Sequence, residues 1–177
     1  EPEPAYKSVP EGARVYLKDM GLADLRGQSL DASKIDYLNL DRNALTNVDE
    51  VASLTGLKWL RLNSNQLSAL PSLDALKSLR RIYLRDNKFA EVPETLKDLP
   101  SLTDIDLSGN PVSEIPEWLA KKEGLQFLSF SRTKISKLPD DLSAWKRLKA
   151  LQLGDLQMTP EEMSRIRKAL PDVAVVF

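Results

Sequence analysis

The chain has 177 residues, 42% of them hydrophobic and 29% charged, which is the size and composition of one globular domain with a core. Its 25 Lys and Arg nearly balance its 26 Asp and Glu, and a formal net charge of -1 argues against a general polyanion binder. Histidine and cysteine are absent, which excludes disulfide bonds, thiol nucleophiles, imidazole bases and Cys/His zinc sites.

The first residues are acidic and rich in proline, and we expect a flexible N-terminal arm over 1–11. The sequence opens Glu1-Pro2-Glu3-Pro4, without the basic start or the apolar stretch of a signal peptide. Either a secretory leader has been removed or the boundary was chosen here, so secreted, periplasmic and cytoplasmic locations all stay open. No apolar run approaches the ~20 residues that a spanning helix needs, and we expect no membrane span.

From residue 12 onwards, one pattern of apolar residues returns every 22 or 23 residues. Its template is L-x-x-L-x-L-x-x-N-x-L, and one copy is formed by Leu57, Leu60, Leu62, Asn65 and Leu67. The first strand position of each copy falls at 15, 38, 60, 82, 105, 128 and 151, at intervals of 23, 22, 22, 23, 23 and 23 residues. Six copies in register over 35–158 exclude coincidence.

Each copy predicts one short strand and a unit that is unstable alone. Apolar and polar residues alternate around the paired leucines, which is the period of a strand with one buried face. About seven apolar side chains would gain roughly 10–20 kcal/mol on burial. Ordering about 23 residues costs on the order of 25–45 kcal/mol of backbone entropy. Neighbouring units must therefore stack on one another.

These copies resemble the leucine-rich repeat family, over roughly residues 12–177, as a small solenoid of the bacterial type. The resemblance implies an α/β fold: a right-handed solenoid with a concave parallel sheet of about seven to eight short strands. Short helices or 3-10 turns are implied on the convex side. In this family the template asparagine bonds the turning backbone of adjacent coils. That column holds Asn43, Asn65, Asn87 and Asn110, then Thr133 and Leu156, so we expect the ladder to weaken toward the C-terminus.

The ends of such a stack need caps, because an open coil exposes its apolar core. Residues 12–34 predict an imperfect first coil, and 159–177 predict the C-terminal cap. Thr159, Pro160 and Glu162 have the spacing of a capping box at a helix start. We expect this helix to end at Pro171 and a last strand to follow it. The predicted organisation is therefore a single repeat domain over 12–177.

Short matches to catalytic and metal-binding motifs fail on their context. Residues 104–109 begin like a calcium loop, but the twelfth position is Ile115 in place of the bidentate glutamate. Two S-x-x-K matches, at 131–134 and 143–146, fall on a strand-to-turn segment and on the convex side. Without histidine or cysteine, acid–base catalysis would need unusual partners. We predict no enzyme, no catalytic residue, no metal and no cofactor.

The outward side chains of the predicted strands indicate where a partner binds. Parallel strands arrange them in columns, and we expect these positions to face solvent. Aromatic residues and arginines, the side chains that dominate interface hot spots, concentrate in the N-terminal half. An acidic patch beside them suits a dipolar partner surface better than DNA. The predicted partner-binding residues are Tyr16, Tyr37, Trp59, Arg61, Arg81, Tyr83, Arg85, Asp104, Asp106 and Phe127.

Two interpretations of these columns stay open, since the aromatic residues can bind a partner or stack across repeats and stabilise the sheet. Our first hypothesis is a non-enzymatic, monomeric module that binds a protein on its concave face and does not bind nucleic acid. One alternative is a secreted or surface binder of a glycan or host ligand, with aromatic rings stacked on sugars. Another is the regulatory recognition arm of a larger protein. Fold alone does not choose among them.

Overall fold

The computed structural model describes residues 14–177, so the expected arm over 1–11 lies outside the described part. The described residues form one parallel sheet of eight three-residue strands, and each strand pairs with its neighbours in the sequence. This order is that of a solenoid, and it confirms the predicted fold class. The strands are β1 Arg14–Tyr16, β2 Tyr37–Asn39, β3 Trp59–Arg61, β4 Arg81–Tyr83, β5 Asp104–Asp106, β6 Phe127–Ser129, β7 Ala150–Gln152 and β8 Ala174–Val176.

The strand register follows the repeat of the sequence. The middle residues of successive strands are Cα partners, as for Leu38 and Leu60 or Ile82 and Ile105. A change from 22 to 23 residues per repeat does not shift the register, because the extra residue lies in the return segment. The two flanking residues of each strand consequently stand in two columns on the outer face of the sheet.

The convex side is made of short helical turns, as the resemblance implies. They are the 3-10 helices Asp49–Ser53 and Glu94–Leu96 and the four-residue α-helix α1, Glu117–Ala120. Pro93 and Pro116 lie immediately before the last two of these. Proline fixes φ near the helical value and needs no hydrogen bond at a helix start, so it directs the chain into each turn.

One continuous apolar cluster fills the space between the sheet and the convex turns, from Leu25 to Leu170. The paired strand leucines, such as Leu60 and Leu62, are completely buried in it. Trp145 is buried on the convex side, where its indole Nε1 donates a hydrogen bond of 2.9 Å to the Leu119 carbonyl oxygen. The repeats therefore share a single core, as the energetics of an isolated unit require.

The asparagine column forms the expected ladder between repeats. The Asn65 amide donates to the Leu40 oxygen of the preceding repeat at 3.0 Å and to the Leu62 oxygen at 3.1 Å. Its Oδ1 accepts the Leu45 N–H at 3.1 Å. The same pattern recurs at Asn43, Asn87 and Asn110. The Thr133 hydroxyl, in contrast, donates within its own repeat, to the Phe130 oxygen at 2.8 Å, so the predicted weakening is confirmed.

A column of left-handed backbone runs beside the sheet, and the sequence patterns did not predict it. One residue per repeat, two positions after the second strand leucine, has a φ between 54° and 72°. In the first six of these residues the N–H donates to a carbonyl of the next repeat, as from Arg42 to Asn63 at 2.9 Å. This bond stabilises a conformation that costs an ordinary residue about 1–2 kcal/mol. The column contains Asp19, Arg42, Ser64, Asp86, Gly109, Arg132 and Asp155.

Helix α2, Pro160–Ala169, closes the C-terminal end of the core as predicted, and β8 follows it. The Thr159 hydroxyl accepts the Glu162 N–H at 3.1 Å, which is one half of the capping box. The other half is replaced, because the Glu162 carboxylate accepts the Leu138 N–H at 2.8 Å and pairs with Arg165 at 2.6 Å. The capping glutamate thus attaches the helix to the neighbouring repeat.

Candidate functional site

Four aromatic rings form a continuous row across β1 to β4 on the outer face of the sheet. The ring centroids of Tyr16 and Tyr37 are 5.4 Å apart, those of Tyr37 and Trp59 are 5.1 Å apart, and those of Trp59 and Tyr83 are 5.9 Å apart. Such spacings follow from a strand separation of about 4.8 Å. Each ring pair is worth about 0.5–1.5 kcal/mol beyond the area that it buries. The row therefore stiffens this half of the sheet.

The expectation that all these rings face solvent is wrong for the two in the middle of the row. Tyr37 is 2% exposed and Trp59 is 0% exposed. Each is covered by a ring from the strand on either side. The Arg81 guanidinium also lies over the indole of Trp59, with 4.8 Å between its carbon and the ring centroid. Large side chains on neighbouring strands cover one another. A side chain that points away from the core can therefore still be buried.

Arg61, Asp104 and Asp106 were also expected to face solvent, and they are buried as well. Arg61 Nε donates to Asp41 Oδ2 at 2.9 Å, and its guanidinium carbon lies 5.5 Å from the Tyr83 ring centroid. A buried charge is tolerated when it is paired and hydrogen-bonded in this way. Asp106 is paired similarly, by Arg85 Nη2 at 3.0 Å.

A second polar ladder, made of short side chains, joins the backbones of neighbouring repeats just beyond the strands. Asp41 Oδ1 accepts the Asn63 N–H at 2.9 Å, and Asn63 Oδ1 accepts the Arg85 N–H at 2.9 Å. Ser108 and Ser131 continue it in the C-terminal half. Sequence reasoning missed this ladder, although the accumulation of Asp, Asn and Ser at one repeat position was a usable signal. The oxygens of these side chains already accept hydrogen bonds within the fold.

Exposure separates the predicted site residues into two groups. Tyr16 is 45% exposed and Phe127 is 41% exposed, although both are large and aromatic. Arg81, Tyr83 and Arg85 are half-buried and reach solvent. These five residues can contact a partner directly. The buried group, Tyr37, Trp59, Arg61, Asp104 and Asp106, lies beneath or between them.

A depression of about 180 Å³ lies on the sheet face between Tyr83 and Phe127. Asp104 and Asp106 contribute to its lining, and so does the small side chain of Ala150. Sites for drug-sized ligands usually occupy about 300–1,000 Å³. This depression, which we call the acidic depression, therefore fits a single side chain of a partner.

The charge of the acidic depression is only partly balanced. Burial raises the pKa of Asp104, while the Thr103 hydroxyl and then Arg81, Arg80 and Lys149 act in the opposite direction. The Thr103 hydroxyl donates to Asp104 Oδ1 at 2.8 Å, but Arg81 Nε stays 3.8 Å from Asp104 Oδ2. A further positive group inside the depression would therefore stabilise the carboxylate.

The described part of the chain has neither a metal-binding cluster nor a membrane-spanning helix. Residues 14–177 contain no group of three or more acidic side chains that could hold a metal ion. Over the same residues, every helix is too short or too polar to cross a lipid bilayer.

Parallel strands in chain order, buried leucines at fixed intervals and an asparagine ladder define a repeat protein with a solenoid fold. Family models agree: one described as leucine rich repeat matches residues 33–89, and one described as leucine rich repeats (2 copies) matches 77–120. The chain belongs to the leucine-rich repeat family. Proteins of this family are typically non-enzymatic modules for protein–protein interaction.

Solved structures share the fold. A leucine-rich repeat protein of Leptospira interrogans is similar with a TM-score of 0.76 and 32% identity, over 81% of this chain and 37% of that one. An internalin of Listeria monocytogenes is similar with a TM-score of 0.71 and 24% identity, over 81% of this chain and 41% of that one. This chain thus spans about two fifths of the length of these relatives. No curated protein matches it.

Proposed function

We propose that this chain is a non-enzymatic module that binds a protein partner on its concave sheet face. The observation that carries the proposal is Phe127, a large aromatic side chain that stays 41% exposed on the wall of the acidic depression. Aromatic anchors next to arginine are typical of the residues that contribute most to binding energy. The contacting set is Tyr16, Arg81, Tyr83, Arg85 and Phe127.

The buried residues of the same face act as positioning residues. Tyr37 and Trp59 connect the exposed ring of Tyr16 to that of Tyr83, and Arg61 packs beneath Tyr83. Side chains that are fixed before binding lose less conformational entropy when the partner arrives. The rigid row therefore supports affinity without itself touching the partner.

The chemistry of the acidic depression indicates what a partner inserts there. The Asp104 carboxylate, from which Arg81 Nε stays 3.8 Å away, attracts a positive charge, and the rings of Tyr83 and Phe127 offer π faces to a cation. A lysine or arginine side chain of the partner satisfies both requirements. Arg81 lies on the neighbouring strand β4 and Arg85 lies two residues after that strand ends, so a partner with an acidic residue beside its basic one would match the whole surface.

The size of the face is compatible with a stable complex. Seven intervals between eight strands at about 4.8 Å give a sheet on the order of 34 Å across. A standard interface buries about 800 Å² on each partner, and a face of this width provides that area.

The test compares two variants that each remove one exposed apolar side chain. A partner is first captured by crosslinking and purified, and its affinity is then measured by calorimetry. Phe127→Ala should weaken binding at least tenfold without changing the melting temperature. Met20→Ala is the matched control, because Met20 is 53% exposed and lies outside the strands. Equal affinity of the Phe127 variant and the parent chain would contradict the proposal.

A further inference from the structure

We propose a second binding site, for a ligand that carries several phosphate or sulfate groups, at the end of the sheet where the chain enters the strands. A groove of about 450 Å³ lies there, and we call it the entry groove. Three of the residues that line it are cationic: Lys58, Arg80 and Arg147. The groove is separate from the acidic depression and does not depend on the function proposed for the sheet face.

The repeat geometry builds the entry groove from two columns of side chains. Lys58 and Arg80 are the residues immediately before β3 and β4. Gln126 holds the same position immediately before β6. Arg147 belongs to a second column, two positions earlier in its repeat, and Gly124 holds the equivalent position one repeat before it. Since glycine has no side chain, an open space remains next to Arg147.

Gly124 is not required there by backbone conformation or by crowding. A Cβ built on it would meet the Leu102 carbonyl oxygen at 3.7 Å, which is an ordinary van der Waals contact. Its φ is not in the left-handed range. A larger residue could therefore occupy this position without backbone strain, and its effect would be to fill the groove.

The cations of the entry groove lack acidic partners, in contrast to those of the sheet face. Within residues 14–177, the side chains of Lys58, Arg80 and Arg147 form no ion pair or hydrogen bond, and no carboxylate is among the lining residues. Arg80 acts on the buried Asp104, whose raised pKa it partly offsets, but Asp104 is bonded by Thr103. Three positive charges therefore remain available to an external anion.

Neutral hydrogen-bonding groups lie between the charged positions. The side chains of Ser78 and Gln126 line the groove and make no hydrogen bond with other described residues. The Ser101 hydroxyl donates to the Lys77 carbonyl oxygen at 2.8 Å, so it offers no hydrogen to an anion. Ser78 and Gln126 thus offer neutral donors between the charged positions.

Spacing determines the class of ligand. Arg80 and Arg147 belong to repeats three strands apart, which corresponds to about 14 Å. One phosphate or sulfate group would contact both only if the two long side chains converged on it, so a ligand with at least two such groups along its length matches this spacing better. Guanidinium groups bind these oxyanions in a bidentate manner and with higher specificity than an ammonium group. A net charge of -1 argues against unspecific polyanion binding, whereas the groove confines positive charge to one place.

The experiment measures binding of a short-chain polyphosphate and of a heparin tetrasaccharide by calorimetry at low salt, with orthophosphate as the single-anion comparison. We expect at least one of the two probes to bind more tightly than orthophosphate, and binding to weaken as salt increases. Binding of polyphosphate alone would identify a phosphorylated ligand, and binding of heparin alone a sulfated one. Failure of both probes to bind the parent chain would overturn the proposal.

Three variants assign the binding to the groove. Arg80→Gln combined with Arg147→Gln should weaken binding at least tenfold. Lys88→Gln combined with Lys134→Gln is the matched control, since it removes the same charge from exposed side chains beyond the opposite ends of the strands. Gly124→Leu fills the groove without changing the charge and should also weaken binding. The proposal would be overturned if the control pair lost as much affinity as the arginine pair and Gly124→Leu lost none. Binding would then come from general charge attraction and not from a defined site.

Discussion

Asp86 and Arg132 form an ion pair across an entire intervening repeat, with 3.1 Å between Asp86 Oδ1 and Arg132 Nη1 and 46 residues between them in sequence. Both belong to the left-handed column, and Gly109 occupies that column between them. A Cβ on Gly109 would overlap Asp86 Oδ1 and lie 3.2 Å from Arg132 Nη1. The missing side chain at this position is therefore what permits the two charged residues to meet.

Gly109→Ala should destabilise the fold by about 1–2 kcal/mol, because alanine is strained at a φ of 72°. It should also separate Asp86 from Arg132, although an ion pair this exposed contributes little. Urea denaturation measures the change in free energy of unfolding. Gly124→Ala is the control, since its Cβ has room and its φ is not left-handed. Equal losses of unfolding free energy in the two variants would mean that neither the backbone strain nor the overlap with Asp86 affects stability.

Trp59→Ala should lower the free energy of unfolding by about 3–5 kcal/mol, the usual cost of removing a large buried aromatic side chain. Trp59 is completely buried between Tyr37 and Tyr83, and Arg81 would lose the ring beneath it. Tyr16→Ala, at the exposed end of the same row, should cost only about 0.5–1.5 kcal/mol, the usual contribution of the one ring pair that it removes. Comparable melting temperatures for the two variants would contradict the difference in burial on which the positioning role depends.

The fold followed from the sequence because its determinants repeat. Leucine spacing sets the strand register, and the asparagine column marks the backbone that each amide must satisfy, so both are visible in single-residue patterns. Exposure on the sheet face depends instead on the height of neighbouring side chains. Tyr37 and Trp59 have outward positions, yet the rings and the guanidinium beside them remove both from solvent. Such coverage is a property of several strands at once, and no single column reveals it.

The same reasoning applies to the pair of Asp86 and Arg132. Each residue has an unremarkable polar position, and their contact depends on what the repeat between them lacks. The Arg61–Asp41 pair likewise joins two columns that sequence reasoning treated separately. The columns therefore show which pairings across repeats are possible, whereas the three-dimensional packing decides which of them form.

Thr133→Asn should extend the asparagine ladder by one repeat. The Asn110 amide donates to the Leu84 and Leu107 oxygens, and its Oδ1 accepts the Phe89 N–H. By the same offsets, asparagine at 133 would reach equivalent groups one repeat further. A net gain of about 0.5–1.5 kcal/mol is expected from added hydrogen bonds of this kind.

The matched variant for the ladder is Asn87→Ala, which leaves the Leu67 N–H and the Leu62 and Leu84 oxygens without their amide partner. Buried polar groups that lose a partner cost about 1–3 kcal/mol each, so this variant should lose several times what Thr133→Asn gains. Urea denaturation of both variants measures these changes in the free energy of unfolding. A Thr133→Asn chain no more stable than the parent would mean that the C-terminal repeats cannot accept the ladder.

Asp104→Asn should stabilise the protein at neutral pH. Burial raises the pKa of Asp104, so the folded state binds its proton more tightly than the unfolded state does. Stability contributed by this group is therefore highest below the ordinary value of 3.8 and decreases as pH rises through the folded pKa. Asparagine removes the charge and keeps an oxygen that accepts from Thr103. The stability difference between the variant and the parent should thus shrink as the solution is acidified.

Glu162→Gln provides the opposite case within the same chain. Its hydrogen bond with Arg165, followed by that with the Leu138 N–H, lowers the pKa of Glu162 below 4.5. The stability that this carboxylate contributes is present above that value and is lost as pH falls through the folded pKa. Glu162→Gln should consequently be less stable than the parent at neutral pH, and acid should again close the gap. Melting curves of both variants from neutral to acidic pH test whether Asp104→Asn is stabilised and Glu162→Gln is destabilised at neutral pH. A gain in stability for Glu162→Gln would contradict the role of this residue in attaching α2 to the neighbouring repeat.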